Sequence, residues 1–178
     1  MFPWLKLTST RLPKKVADNE WEKARIILPT LERLQRWGTV QHARCPNCGN
    51  TETEARCRKL CGIATTFWRL VHRCMPSIGV AQNYTRGHCP RDAYGRLVLA
   101  AGEYVLWRNH CGAVGGRRRL RLQWPLLARL RRILLSFLET QLVTHGEVEF
   151  LRHWSCPFVS VVDGKVILSA AFRDVEVY

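Results

Sequence analysis

Eight cysteines and six histidines carry the clearest reactive chemistry in this chain, and their spacing suits metal ligation better than catalysis. Cys45 and Cys48 flank a Pro-Asn pair and are followed by Gly49 in the run CPNCGN, a knuckle that aims two sulfurs at one ion. Cys57 and Cys61 follow, one helical turn apart, so the series C-x2-C-x8-C-x3-C can close a tetrahedral zinc site by itself. A rival set pairs Cys45 and Cys48 with His88 and Cys89. Zinc held by four of these six residues is the expectation, set against plain buried thiols, since free cysteine is among the most buried residue types. His110 with Cys111, like His88 with Cys89, sets an imidazole beside a potential thiolate, both good zinc ligands, while His153 and Cys156 are possible ligands that are more often structural.

The composition narrows the partners. Twenty-eight Lys and Arg against fourteen Asp and Glu leave a formal charge of +14, which favours polyanionic or acidic partners, nucleic acid first among them. A hydrophobic share of 47% over 178 residues is enough for one core. The opening MFPWLKLTSTRLPKK lacks the order of a secretory leader, so the thiols are expected to be reduced and available to metal. No apolar run reaches the roughly 18 residues that a membrane-spanning helix needs. The chain has no Gly-x-Ser-x-Gly elbow, no phosphate loop, no dinucleotide fingerprint and no zinc-deaminase signature, so it is not expected to be an enzyme.

The elements that must position these residues read as α+β: N-terminal and central helices around the Cys/His region, then a small C-terminal antiparallel sheet. Residues 1–17 form an arm and 18–178 a single domain. Helical spacing from Asn19 to Trp37 is interrupted by Pro29 and ends at Gly38. Thr51 and Glu54 form a capping-box pair that starts a helix running to about Cys74, with Leu60, Ala64, Phe67, Trp68, Val71 and Met75 on its apolar face and Pro76 ending it. A weaker seam joins Leu70, Cys74 and Ile78.

Between the two His-Cys pairs, Leu97, Ala101 and Val105 recur every fourth residue and line one side of a helix, flanked by Val98 and Leu99. Such a stripe either faces the core or docks into a partner's groove. Gly102 within it costs about 1 kcal/mol of helix propensity relative to Ala. Pro125 opens a further helix with Leu126, Leu130, Ile133, Leu134, Phe137, Leu138 and Leu142 on one side and Arg129, Arg131 and Arg132 near its start. Together with Arg117, Arg118, Arg119 and Arg121 these arginines suit nucleic-acid contact or nuclear localisation, although Trp124 is the sole aromatic interleaved with them. From Glu147 the period changes to two through VEFLRHW, PFVSVV, KVILSAAF and DVEVY, with Asp163-Gly164 as a hairpin turn.

Two stretches resemble the thirty-four-kilodalton early-region-four protein family of adenoviruses. HCPRDAYGRLVLAAGEYVL, residues 88–106, is similar to that family's His-Cys pair and Gly-x-Leu-x3-Ala-Gly-x2-Val-Leu run, matched here by Gly95, Leu97, Ala101, Gly102, Val105 and Leu106. LVTHGEVEFLRHW, residues 142–154, resembles the family's segment ending Leu-Arg-x-Trp, and CPNC stands where the family has a Cys-rich knot. This chain is shorter than the family pattern, and Arg96 replaces a small hydroxyl residue. The resemblance implies a viral early adaptor of the host nucleus, with some in the host cytoplasm. Leu97, Ala101 and Val105 would engage elongin C, and through elongin B and a cullin assemble a ubiquitin ligase. With a second viral early protein the adaptor would send host proteins to the proteasome and support late viral mRNA export. The alternative is a zinc-containing basic protein that binds RNA or DNA.

Overall fold

The computed structural model describes residues 12–76, 93–114 and 123–169. Helix α1, Lys14–Ala24, starts behind Pro13, whose fixed φ suits a helix entry, and buries Val16 and Asn19. Lys14 to Ala17, expected in the arm, are therefore helical. Pro29 divides the chain as expected, and α2, Leu31–Arg36, begins afresh at Thr30, whose Oγ1 accepts from Arg33 N at 3.4 Å. Gly38, with φ of 74°, takes the left-handed conformation that closes this helix.

The helix expected from Thr51 to Cys74 is two pieces. Thr53, not Thr51, caps the first, its Oγ1 accepting from Arg56 N at 3.2 Å. A π-helical turn then spans Arg56–Leu60, and Cys61 is extended with ψ of 145°. Helix α3, Gly62–Cys74, buries Ala64, Phe67, Trp68 and Val71, one stripe at helical spacing. Leu60, expected on that stripe, points outward because the π turn ends there.

Helix α4, Ala93–Val114, is the central pillar, packed against α1, the π turn and the long helix α5, Gln123–Trp154. Along α5 the buried residues Leu126, Leu130, Leu134, Leu138 and Leu142 repeat every four positions. Gly146 bends α5 with φ of 75° and ψ of 164°, a conformation essentially reserved for glycine. Beyond the bend Phe150 and Trp154 return to the core.

The sheet is one hairpin: β1, Val159–Val162, pairs antiparallel with β2, Lys165–Leu168, in the register Val159 to Leu168 and Val162 to Lys165. Asp163 and Gly164 both have positive φ, as the tightest hairpin turn requires. Val159, Val166 and Leu168 face the core, and β2 packs against α5. VEFLRHW, expected as strand, is helical, and DVEVY lies outside the described residues. One apolar cluster runs from Val16 of α1 to Leu168 of β2, giving the α+β architecture read from the sequence.

Candidate metal centre

Residues 44–51 form a small loop closed by an antiparallel bridge between Arg44 and Thr51. Cys45 N donates to Asn50 O at 2.8 Å and Gly49 N to Cys45 O at 2.9 Å, so the knuckle is held by its own backbone. Gly49, with φ of 71°, makes the reversal possible. Cys45 and Cys48 thereby point to one side, where Cys61 enters from the break between the π turn and α3.

The three thiol sulfurs all lie within 4.8 Å of one another. Cys45 Sγ and Cys61 Sγ are 3.8 Å apart. Two thiolates on one tetrahedral ion with metal–sulfur bonds of about 2.3 Å stand about 3.8 Å apart, so the trio could hold a metal ion with little rearrangement. Asn47 Nδ2 donates to Cys61 Sγ at 2.9 Å, a partner outside the trio that orients the sulfur.

The surroundings split the thiols. Burial pushes Cys45 up to about 11, opposed by backbone hydrogen bonds from Asn47 and Cys48. Cys48 is lowered, chiefly by the backbone N–H of Asn50. A ligand already inclined to the thiolate thus sits beside one that gives up its proton when a cation arrives.

Cys57 does not join them. Its Sγ donates to Glu54 O at 3.3 Å, and it packs with Leu28, Trp107 and Cys111 in a separate small cluster. The wide π turn and the extended Cys61 separate two thiols that an unbroken α-helix would have aligned. Burial raises the Cys57 thiol well above its ordinary value and pushes Cys111 up to about 11, so both are kept as neutral thiols. His88 and Cys89 lie outside the described residues, as do Arg117, Arg118, Arg119 and Arg121.

The expected docking seam is corrected outright: Leu97, Ala101 and Val105 are each 0% exposed, enclosed by the helices around α4. The side of α4 that carries them is packed inward and presents no apolar ridge to a foreign pocket. In the weaker seam Leu70 and Cys74 are half-buried, and Ile78 is outside the described residues. His110 is buried with its Nε2 2.6 Å from Glu52 Oε2, and Glu52 Oε1 accepts from Leu31 N at 2.9 Å. That arrangement ties α4 to the start of α2 and explains His110 structurally. His153 is exposed, with Nδ1 3.2 Å from Glu149 Oε1. On α5, Arg129 and Arg131 are half-buried and Arg132 is exposed.

Sequence reasoning missed the buried polar hub. Glu103 Oε2 accepts from Lys23 Nζ and from Arg58 Nη1, each at 2.6 Å, while Asn19 Oδ1 accepts from Arg58 Nη2 at 3.1 Å. The signal available was a lone carboxylate in the otherwise apolar run LVLAAGEYVLW. No protein-family model matches the chain, and no curated protein or solved structure matches it either.

Proposed function

We propose that this protein is a non-enzymatic adaptor whose binding surfaces ride on a helical body stapled by one zinc ion. The observation that carries the staple is the 3.8 Å separation of Cys45 Sγ and Cys61 Sγ, with Cys48 completing a trio. Soft thiolates in tetrahedral spacing favour zinc, and a set rich in cysteine is the structural rather than the catalytic kind. Of the six residues read from the sequence as candidate ligands, His88 and Cys89 are left for the fourth position.

The partners rest on the family resemblance: elongin B/C and a cullin, a second viral early protein, and host proteins marked for the proteasome, in the host nucleus. With Leu97, Ala101 and Val105 in the core, any contact with elongin C falls to other residues. Zinc analysis of the purified full chain is expected to give one ion per chain. Cys45→Ser, Cys48→Ser and Cys61→Ser should each lose it, and Cys57→Ser should keep it. Full retention by all three rejects the centre. Affinity purification of the tagged chain from cells is expected to bring elongin B/C and a cullin, and a preparation lacking both rejects the ligase assignment.

The charge of +14 and the Arg129, Arg131 and Arg132 group favour a second reading, an RNA- or DNA-binding protein. Its signature is affinity that falls steeply with salt, because each neutralised phosphate releases counterions.

A further inference from the structure

A cleft of about 500 Å³ opens where the start of α1 lies across α4 and the first half of α5. Its apolar floor is made by Val16, Tyr104, Ile133 and Phe137. Two walls are cationic: Lys14 and Lys15 come from α1, and Arg129 and Arg132, one helical turn apart, from α5. No carboxylate lines it among the described residues. Lys14, Lys15 and Arg132 are exposed, so their charges reach the mouth of the cleft.

We infer that this cleft is a docking site for an acidic peptide segment of a partner protein, one whose apolar side chains enter the floor while flanking carboxylates meet the cations on both walls. Charge complementarity selects the occupant. A purely apolar segment leaves the exposed Lys14, Lys15 and Arg132 unused, and a purely acidic one leaves the floor wet. A peptide alternating the two uses both. A nucleic-acid strand fits the floor less well, because stacking needs open aromatic faces. Phe137 is already in edge-on contact with Trp154 at 5.8 Å, Val16 and Ile133 are aliphatic, and the half-buried Tyr104 is the one aromatic left, where stacking along a strand needs successive rings. Acidic peptides with apolar anchors on a helix satisfy the site through residues one turn apart, matching the spacing of Arg129, Arg132 and Ile133 on α5.

The inference does not depend on the zinc centre, since no cysteine lines the cleft. Lys15 also borders a smaller hollow with Asp18 and Glu22, so Lys14 and Arg132 are the cleaner residues to change. The probe is a short labelled glutamate peptide carrying two leucines one helical turn apart, titrated against the full-length protein by fluorescence anisotropy. The comparison probes are the same peptide with serines for leucines and an oligothymidylate of equal length.

Wild type should bind the leucine peptide at least about tenfold more tightly than the serine peptide, because buried anchors carry most of such an affinity. The double reversal Lys14→Glu with Arg132→Glu should weaken binding by about tenfold or more. Ser136→Trp, at an exposed lining position, fills the floor without altering charge and should have a similar effect. Far-UV circular dichroism and zinc content should match wild type in both variants. Equal affinity for the leucine and serine peptides overturns the site, as does indifference to Ser136→Trp. Binding of oligothymidylate that both substitutions abolish, without binding of the leucine peptide, reassigns the cleft to nucleic acid and overturns it too.

Discussion

Glu103 is the residue on which the interior's charge balance turns. Burial presses it towards its neutral form, but Lys23 and Arg58 outweigh that and hold its carboxyl below the ordinary range. A carboxylate with a depressed folded value adds stability above its unfolded value, and that stability drains away as pH falls through the folded one. Glu20, beside the same cations, is raised by burial despite Lys23, and so contributes the opposite slope. Comparison of wild type with Glu103→Gln separates the two. The variant should be about 1.5–3 kcal/mol less stable at neutral pH, since it removes the closer of two carboxylates facing the buried Arg58 guanidinium and leaves Glu20 Oε1 3.7 Å away. It should then lose less stability than wild type between about pH 5 and about pH 3. Parallel losses in denaturant melts at both pH values would refute the assignment. The knuckle cysteines were legible as candidate ligands because C-x2-C-Gly is a local geometry. The Glu103 hub was not, because periodicity says which face a residue occupies, and α4 buries residues on most of its faces.

At the scale of elements, the approach of α3 to α4 is set by Gly102. A Cβ built there would lie 2.5 Å from Cη2 of the Trp68 indole, far inside van der Waals contact. Trp68 cannot easily retreat, because its Nε1 donates to Arg58 O at 2.9 Å and its ring meets Phe67 edge-on at 5.1 Å. Gly102→Ala should therefore destabilise by about 1–3 kcal/mol despite the better helix propensity of Ala. Trp68→Leu in the same chain should make the alanine nearly harmless, a non-additivity that marks direct contact. A stabilising Gly102→Ala in thermal melts would overturn this packing. The sequence showed glycine only as a propensity cost, because the indole that demands it lies 34 residues away in the chain. Two other element-scale misreadings have local causes. VEFLRHW alternates Val148 and Phe150, yet the buried pair is Phe150 and Trp154, four apart, and Val148 is 87% exposed. The π turn at Arg56–Leu60 left no sequence signature, and with it went the alignment of Cys57 with Cys61.

Across the whole molecule, the apolar cluster reaches from α1 to β2 and takes in Cys45 and Cys61. A metal ion held by the trio would fasten the 44–51 loop to the start of α3. The first part of helix α5, as far as Leu142, the Asp163-Gly164 hairpin and the break at Pro29 were readable in advance, because long periodic runs and turn chemistry are local signals; the order of packing around α4 is set by contacts distant in sequence. Metal removal discriminates between a staple and a scaffold. An ion that binds only the folded chain, at a free concentration about a hundredfold above Kd, contributes about 2.7 kcal/mol. For a chain of this length that corresponds to a fall in Tm of roughly 5–10 °C on chelation. Helical circular dichroism at 25 °C should be largely retained, since the leucine-rich seam of α5 and the stripe on α3 owe nothing to the ion. Restoring zinc should restore Tm in wild type and in Cys57→Ser, but not in Cys61→Ser. An unchanged Tm under chelation would remove the staple, and collapse of the helical signal would make the metal the principal support of the fold.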